Sequence, residues 1–262
     1  MSATSPAAKK PARPAKAGSS RRRSEKTPLF RFFAVLVLPF MGAISKISVA
    51  GVDKVPAVGP FVLAPNHYSE IDPLVIGIAM WKANRMPRYL AKASLFEVPV
   101  LGLLLRKSGQ VPVQRAGVTR GADPLAAAEH ITENGLAVII YPEGTLTRDP
   151  DLWPMRGKFG AVRMALEAGV PIIPVAHWGT QNVLPRYGKL SLFPRKKIDV
   201  LYGDPVDLTA FSGRPLNTAT LAEATNLVMN DITALLERLR GEKAPAERWD
   251  PSKNHQAETG SF

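Results

Sequence analysis

The chain has 262 residues, 45% apolar and 21% charged, which fits one large domain or two small ones with ample length for a real core. It has no cysteine, which excludes a disulfide scaffold and any thiolate metal site and suits a protein facing the cytosol. Of the formal charge of +12, residues 1–27 supply +7, from eight Lys and Arg against Glu25 alone, so the body is only mildly basic.

Residues 1–27 are rich in Pro, Ala, Ser, Lys and Arg, have little to bury, and read as a disordered basic tail. Composition alone fits either nucleic acid or anionic lipid as its partner. The next stretch favours lipid, because Phe32 to Ile44 carries no charge. A spanning helix needs about 20 apolar residues, so this one is too short, and Pro39 interrupts it. A secretory signal has the same order, but its basic region is not preceded by so long a polar stretch, and no small-residue cleavage site is clear. Residues 28–50 are therefore expected to form a membrane-associating helical segment dipping into one leaflet, the alternative being a buried N-terminal core helix.

The main domain is expected over residues 51–241. Phe61–Ala64 reads as a buried strand. It leads into Asn66-His67-Tyr68-Ser69-Glu70-Ile71-Asp72-Pro73, where Pro73 at a first helical position and Asp72 as its cap start a helix. Arg88–Ala91 is a strand running into Lys92, Val98–Leu105 a helix, and Val111–Arg115 a short edge strand with Arg115 at its end. Asp123-Pro124 opens a helix that Asn134-Gly135 closes. Leu136–Tyr141 is a continuous apolar strand ending in Pro142-Glu143-Gly144-Thr145. Gly160–Ala168 is a helix, and Val170–Val175 and Ile198–Tyr202 are strands. Thr220 and Glu223 form a capping box for a last helix with Leu221, Ala224, Val228, Ile232, Leu235 and Leu239 at helical spacing. Gly241 stops it, and residues 242–262 read as a polar C-terminal tail. The alternation predicts an α/β fold, a mostly parallel sheet flanked by helices.

Ligands in such a sheet gather outside the carboxyl ends of the strands. Three polar clusters leave strand ends there: His67 to Asp72, Arg115, and Glu143-Gly144-Thr145 with Arg148. An imidazole five residues before a carboxylate supplies a general base and the group that orients it. No nucleophile elbow accompanies the pair. Two guanidiniums and a glycine turn on the same edge suit an acceptor bearing a phosphate. His130 and His177 read as packed or hydrogen-bonded residues.

Four blocks in order, over residues 66–175, carry a resemblance. Asn66–Asp72 resembles the His-x4-Asp motif of the glycerolipid acyltransferase family, whose bacterial members include 1-acylglycerol-3-phosphate acyltransferases. Val111–Arg115 resembles that family's second block, Tyr141–Thr145 its Pro-Glu-Gly-Thr block, and Val170–Val175 its fourth. The chain departs from the pattern in two places: Leu146-Thr147-Arg148 stands where Arg directly follows Glu-Gly-Thr, and Gln114 replaces an acidic residue. Arg148 either takes over from two residues further on or is a solvated loop charge.

The resemblance implies a glycerolipid-acyltransferase-like catalytic domain and direct transfer. In it, Asp72 orients His67, which takes a proton from the free hydroxyl of a lysophosphatidic acid-type acceptor. The oxygen attacks an acyl-CoA or acyl carrier protein thioester, with backbone N–H groups of a strand-to-helix turn steadying the oxyanion. Arg115, Lys92 and Arg148 are expected near the acceptor phosphate, and Glu143 holds the Gly144-Thr145 turn. The product is phosphatidic acid, for phospholipid biosynthesis. The alternative acceptors are another lysophospholipid or glycerol 3-phosphate. No metal or cofactor is expected, the partners are membrane surface and anionic lipid rather than nucleic acid, and the location is the cytoplasmic face of the membrane, peripheral or monotopic.

Overall fold

Alternation along the strands builds the core. In the strand Phe61–Pro65, Phe61 and Leu63 point to one face of a sheet and Val62 and Ala64 to the other, and all four are buried. A strand covered on both faces belongs in the middle of a parallel sheet. The computed structural model describes residues 25–113 and 124–257 and places this strand there.

The strands are β1 (Ser45–Ala50), β2 (Phe61–Pro65), β3 (Leu90–Lys92), β4 (Val111–Val113), β5 (Ala137–Ile139), β6 (Ile172–Trp178) and β7 (Lys196–Tyr202). Five of them form one sheet in the order β1-β7-β6-β2-β5. Neighbours run parallel except β6 and β7. β3 and β4 pair in parallel and join the edge at β5 through a bridge between Tyr89 and Ile139. The sheet is thus mostly parallel, as the sequence predicts.

The helices are α1 (Pro28–Ile44), α2 (Asp72–Lys82), α3 (Pro99–Lys107), α4 (Pro124–Glu133), α5 (Gly160–Ala168) and α6 (Thr218–Arg240). α4, α5 and α6 bury Ile131, Val162, Ala165, Leu221, Val228 and Ile232 against the Val62 face. α1 and α2 bury Met41, Ile44, Val75, Ile76, Ala79 and Met80 against the Phe61 face. Each of the Val, Leu, Ile and Met side chains among them, fully removed from water, contributes roughly 1.5–3 kcal/mol.

Four expectations change. The segment 28–50 is helical only to Ile44. From Ser45 the alternating Ile47 and Val49 pair with β7, since β-branched residues at period two fit a pleated edge. The start of α6 is capped by Asn217, whose side chain accepts from the Thr220 amide, so Thr220 lies inside the helix and buried rather than in a capping box. Residues 25–27 belong to the body: Glu25 pairs with Arg85 at 2.8 Å and Arg88 at 2.9 Å, and Thr27 caps α1. The stretch after Gly241 folds back over α6. The Trp249 carbonyl accepts from the Arg156 amide, Arg248 reaches Asn230, and Pro251 is buried.

No helix among the described residues is long and apolar enough to cross a membrane. α1 nevertheless exposes Phe32, Val35, Leu36 and Phe40, and the stretch of α3 exposes Val98, Val100 and Leu103.

Candidate active site

β2 ends at Pro65, and the chain then turns through Asn66 to Ile71 before α2. The turn is built around one carboxylate. Asp72 Oδ2 accepts from the amides of Tyr68 (2.7 Å) and Ser69 (2.8 Å) and lies 3.0 Å from His67 Nδ1. Its Oδ1 accepts from the Thr180 hydroxyl at 2.6 Å. Asp72 is therefore not the helix cap that the sequence suggests; its oxygens face the preceding turn and α2 starts without a side-chain cap. Burial alone raises the carboxyl, but its electrostatic attraction to the His177 ring beside it and the hydrogen bonds from His67 and Thr180 outweigh it and hold it below its ordinary value.

An ionised carboxylate only accepts, so His67 Nδ1 carries the proton and Nε2 presents a lone pair. The His67 side chain is 16% exposed, enough to meet a substrate. The ring stacks on Tyr141 at 4.1 Å between centroids. Its backbone is pinned as well: the amide donates to Glu143 Oε1 at 3.0 Å and the carbonyl accepts from the Thr147 amide at 2.6 Å.

Glu143 does more than hold its own turn. Fully buried after β5, it takes the His67 amide on one oxygen and the Met155 amide on the other, at 3.0 Å each. Burial pushes its carboxyl up to about 8, against the pull of those amides. Gly144 follows at φ 71°, a left-handed turn, and a Cβ there would meet Lys158 Cδ at 3.0 Å. Thr145 is half-buried beside it.

The amides of residues 67, 68 and 69 are all engaged by Glu143 and Asp72, so these three N–H groups are not offered to an oxyanion. Arg148 is 2% exposed, which rules out the solvated loop charge and places its guanidinium inside the protein. The backbone around it is braced by Arg186, whose Nη1 donates to the carbonyls of Thr147 and Asp149. Lys92 ends β3 at the same carboxyl edge as His67. Arg115 lies outside the described residues. No group of three or more potential metal ligands occurs among the described residues.

A family model described as Acyltransferase matches residues 46–178, which run from the second residue of β1 to the end of β6 and contain the His67 turn. The chain belongs to the acyltransferase family. It is 27% identical over 203 residues to a chloroplast 1-acyl-sn-glycerol-3-phosphate acyltransferase of Brassica napus, covering 74% of this chain and 54% of that one. It is 27% identical over 213 residues to the 1-acyl-sn-glycerol-3-phosphate acyltransferase of Bacillus subtilis, covering 80% of this chain and all of that one. The chain thus spans about half the length of the chloroplast relatives and the whole of the Bacillus protein. The solved structure of the 1-acyl-sn-glycerophosphate acyltransferase PlsC from Thermotoga maritima has the same fold. Its TM-score is 0.57 at 22% identity, over 82% of this chain and 83% of that one.

His177, near the end of β6, is the packed and hydrogen-bonded residue that the sequence suggests, but its partners could not be read there. It is fully buried, and Nε2 donates to the Asn66 carbonyl at 2.9 Å. The Asn66 side chain in turn accepts from the His177 amide and donates to its carbonyl. Three hydrogen bonds therefore tie the end of β2 to β6. His177 Nε2 also stands 3.6 Å from Asp72 Oδ2. Burial keeps the imidazole neutral by pushing it down. Nothing in the local sequence signals this, because Asn66 and His177 are 111 residues apart.

Proposed function

We propose that the protein transfers an acyl chain from an acyl-CoA or acyl carrier protein thioester to the sn-2 hydroxyl of 1-acylglycerol 3-phosphate, giving phosphatidic acid. The observation that carries this is the His67–Asp72 pair at the carboxyl edge of the sheet, Nδ1 engaged and Nε2 open. The names of the relatives supply the acceptor.

Nε2 of neutral His67 takes the hydroxyl proton as that oxygen attacks the thioester carbonyl. Asp72 stabilises the imidazolium, the C–S bond breaks, and the proton passes to the departing thiolate. General base assistance of this kind contributes roughly 10²–10⁴-fold. No acyl-enzyme is required. Arg115 and Lys92 are assigned to the acceptor phosphate, and the buried Arg148 to support of that site from beneath. An apolar groove of about 170 Å³ opens beside Pro73, lined by Phe33, Val37, Leu74, Ile78 and Trp81, and suits an acyl chain. The exposed apolar side of α1 supports attachment to a bilayer surface, which we assign to the cytoplasmic face.

The test is purified protein with 1-acylglycerol 3-phosphate, other lysophospholipids and glycerol 3-phosphate, each with both donors, products identified by mass. Phosphatidic acid formation that His67→Ala abolishes in a folded protein is expected. Transfer only to another acceptor would move the substrate assignment, and a His67→Ala rate above about a tenth of the wild type would remove the base.

A further inference from the structure

The segment between the short turn at Thr180–Asn182 and β7 has no part in the chemistry above. From Thr180 to Ile198 it contains no Asp or Glu and five basic residues: Arg186, Lys189, Arg195, Lys196 and Lys197. Between them stand large apolar side chains turned outward, Tyr187 65%, Leu190 53% and Phe193 74% exposed. Lys197 pairs with Asp199 just past the segment at 2.9 Å, but aromatic and aliphatic side chains leaving the surface among the remaining cations, with no acid in the segment itself, make a poor surface for water. They suit the headgroup layer of an anionic bilayer, where the rings enter the interface and the ammonium groups meet phosphates.

The loop is continuous with α1. Leu192 packs into the core cluster that holds Val37, Leu38, Met41 and Ile44. Arg195 Nε donates to the carbonyl of Ser45, the residue that follows α1, at 3.0 Å. Phe40 near that end of α1 is exposed. Loop and helix thus adjoin, each with outward apolar groups, on the Phe61 side of the sheet. The loop is also continuous with the site: Ser69 Oγ donates to the Leu184 carbonyl, and Arg186 holds the Thr147–Asp149 backbone.

We propose that residues 185–197 form a second membrane-docking element, which inserts Tyr187, Leu190 and Phe193 into an anionic phospholipid surface beside α1. It holds the His67 turn against the leaflet from which the acceptor is drawn. This rests on the reading that the protein works at a bilayer.

The experiment uses the full chain with phosphatidylcholine vesicles, with and without about a third phosphatidylglycerol, read by flotation. Tyr187→Ser, Leu190→Ser and Phe193→Ser together are expected to weaken partition at least tenfold at every salt concentration. Lys189→Gln with Lys196→Gln is expected to weaken it about 30-fold on anionic vesicles at low salt only, from the attraction of each basic residue near such a surface.

A measurement that does not depend on these variants folding uses the absence of native cysteine. Tyr187→Cys, labelled with an environment-sensitive fluorophore, should move to an apolar environment on vesicles, while Ser212→Cys on the α6 side should stay in water. Unchanged partition of the loop variants, with the label at position 187 remaining in water, overturns this element and leaves α1 standing. An intact chain that binds no vesicle overturns both. Loop substitutions that instead dissociate a dimer, without moving vesicle binding, would assign the surface to a second copy of the chain and overturn the proposal.

Discussion

Asp72→Asn tests the site with little change of shape. Four donors converge on the carboxylate: the amides of Tyr68 and Ser69, His67 Nδ1, and the Thr180 hydroxyl. Asn has one acceptor oxygen and one NH₂. With NH₂ at the Oδ2 position it would face three donors, so the amide must turn the other way. Its oxygen then serves Tyr68, Ser69 and His67, and its NH₂ faces Thr180, whose hydroxyl can reverse and accept. The fold cost is then limited to hydrogen bonds that lose their charge assistance, about 1 kcal/mol. The chemical cost is larger. A full imidazolium 3.0 Å from a carboxylate is stabilised by roughly 5–6 kcal/mol at an effective dielectric near 20. A transition state carrying most of that charge loses about 10³ in rate. The assay is single-turnover acyl transfer at several pH values beside urea unfolding of both proteins. A fall of about 10³ in kcat with unfolding shifted by about 1 kcal/mol is expected. If the Asp72→Asn variant keeps more than a tenth of kcat, or if the activity lost merely follows the stability lost, the orienting role is wrong.

Arg115→Ala should raise KM for a phosphate-bearing acceptor at least tenfold and leave KM for the donor unchanged; an equal effect on both makes Arg115 structural. Glu143→Gln tests a linkage whose sign is fixed. The folded carboxyl titrates near 8, above the ordinary 4.5, so between those values the folded chain holds a proton the unfolded chain has lost. Stability from this group is present below about pH 4.5 and is lost as pH rises towards 8, whereas Gln does not titrate. Urea unfolding should therefore show the advantage of wild type over Glu143→Gln shrinking from pH 5 to pH 9; a widening gap refutes the assignment. Phe32→Ser with Val35→Ser and Leu36→Ser on α1 should cut vesicle binding at high salt while leaving the unfolding transition in place, because these three side chains are exposed. Loss of both together would make that face core.

Parallel strands and their apolar runs were readable because burial on both faces writes itself as Phe61-Val62-Leu63-Ala64 and Ala137-Val138-Ile139. α5 matched to the residue because Gly169, at φ 62°, can end it where other residues strain. The errors lie where side chains choose partners outside their own segment. Asp72 looked like a cap because Asp-Pro caps helices locally, yet its oxygens serve the turn before it. Asn217 displaced Thr220 because the three-residue register of a cap tolerates either until packing buries one of them. β1 hid behind α1 because six residues with two alternating aliphatics are a weak signal until β7, about 150 residues on, supplies the partner. His67, Asp72 and Glu143 were legible as types and spacing. The clamp between Asn66 and His177 was not, because it exists only after β2 and β6 are adjacent.

Ile44 ends α1 and Ser45 begins β1, with no residue between them to act as a swivel. The Ser45 hydroxyl donates back to the Met41 carbonyl, and its carbonyl takes Arg195, so the joint is bolted from both sides. Whatever grips the helix therefore grips the sheet, like a hand on a blade whose handle and steel are one piece. Tilt of α1 becomes tilt of the carboxyl edge where His67 stands, and the height of the site above any surface is set by a rigid offset rather than by a tether's reach. Lengthening this joint by a few Gly and Ser residues would convert a fixed bearing into a loose one while leaving every side chain of the site in place.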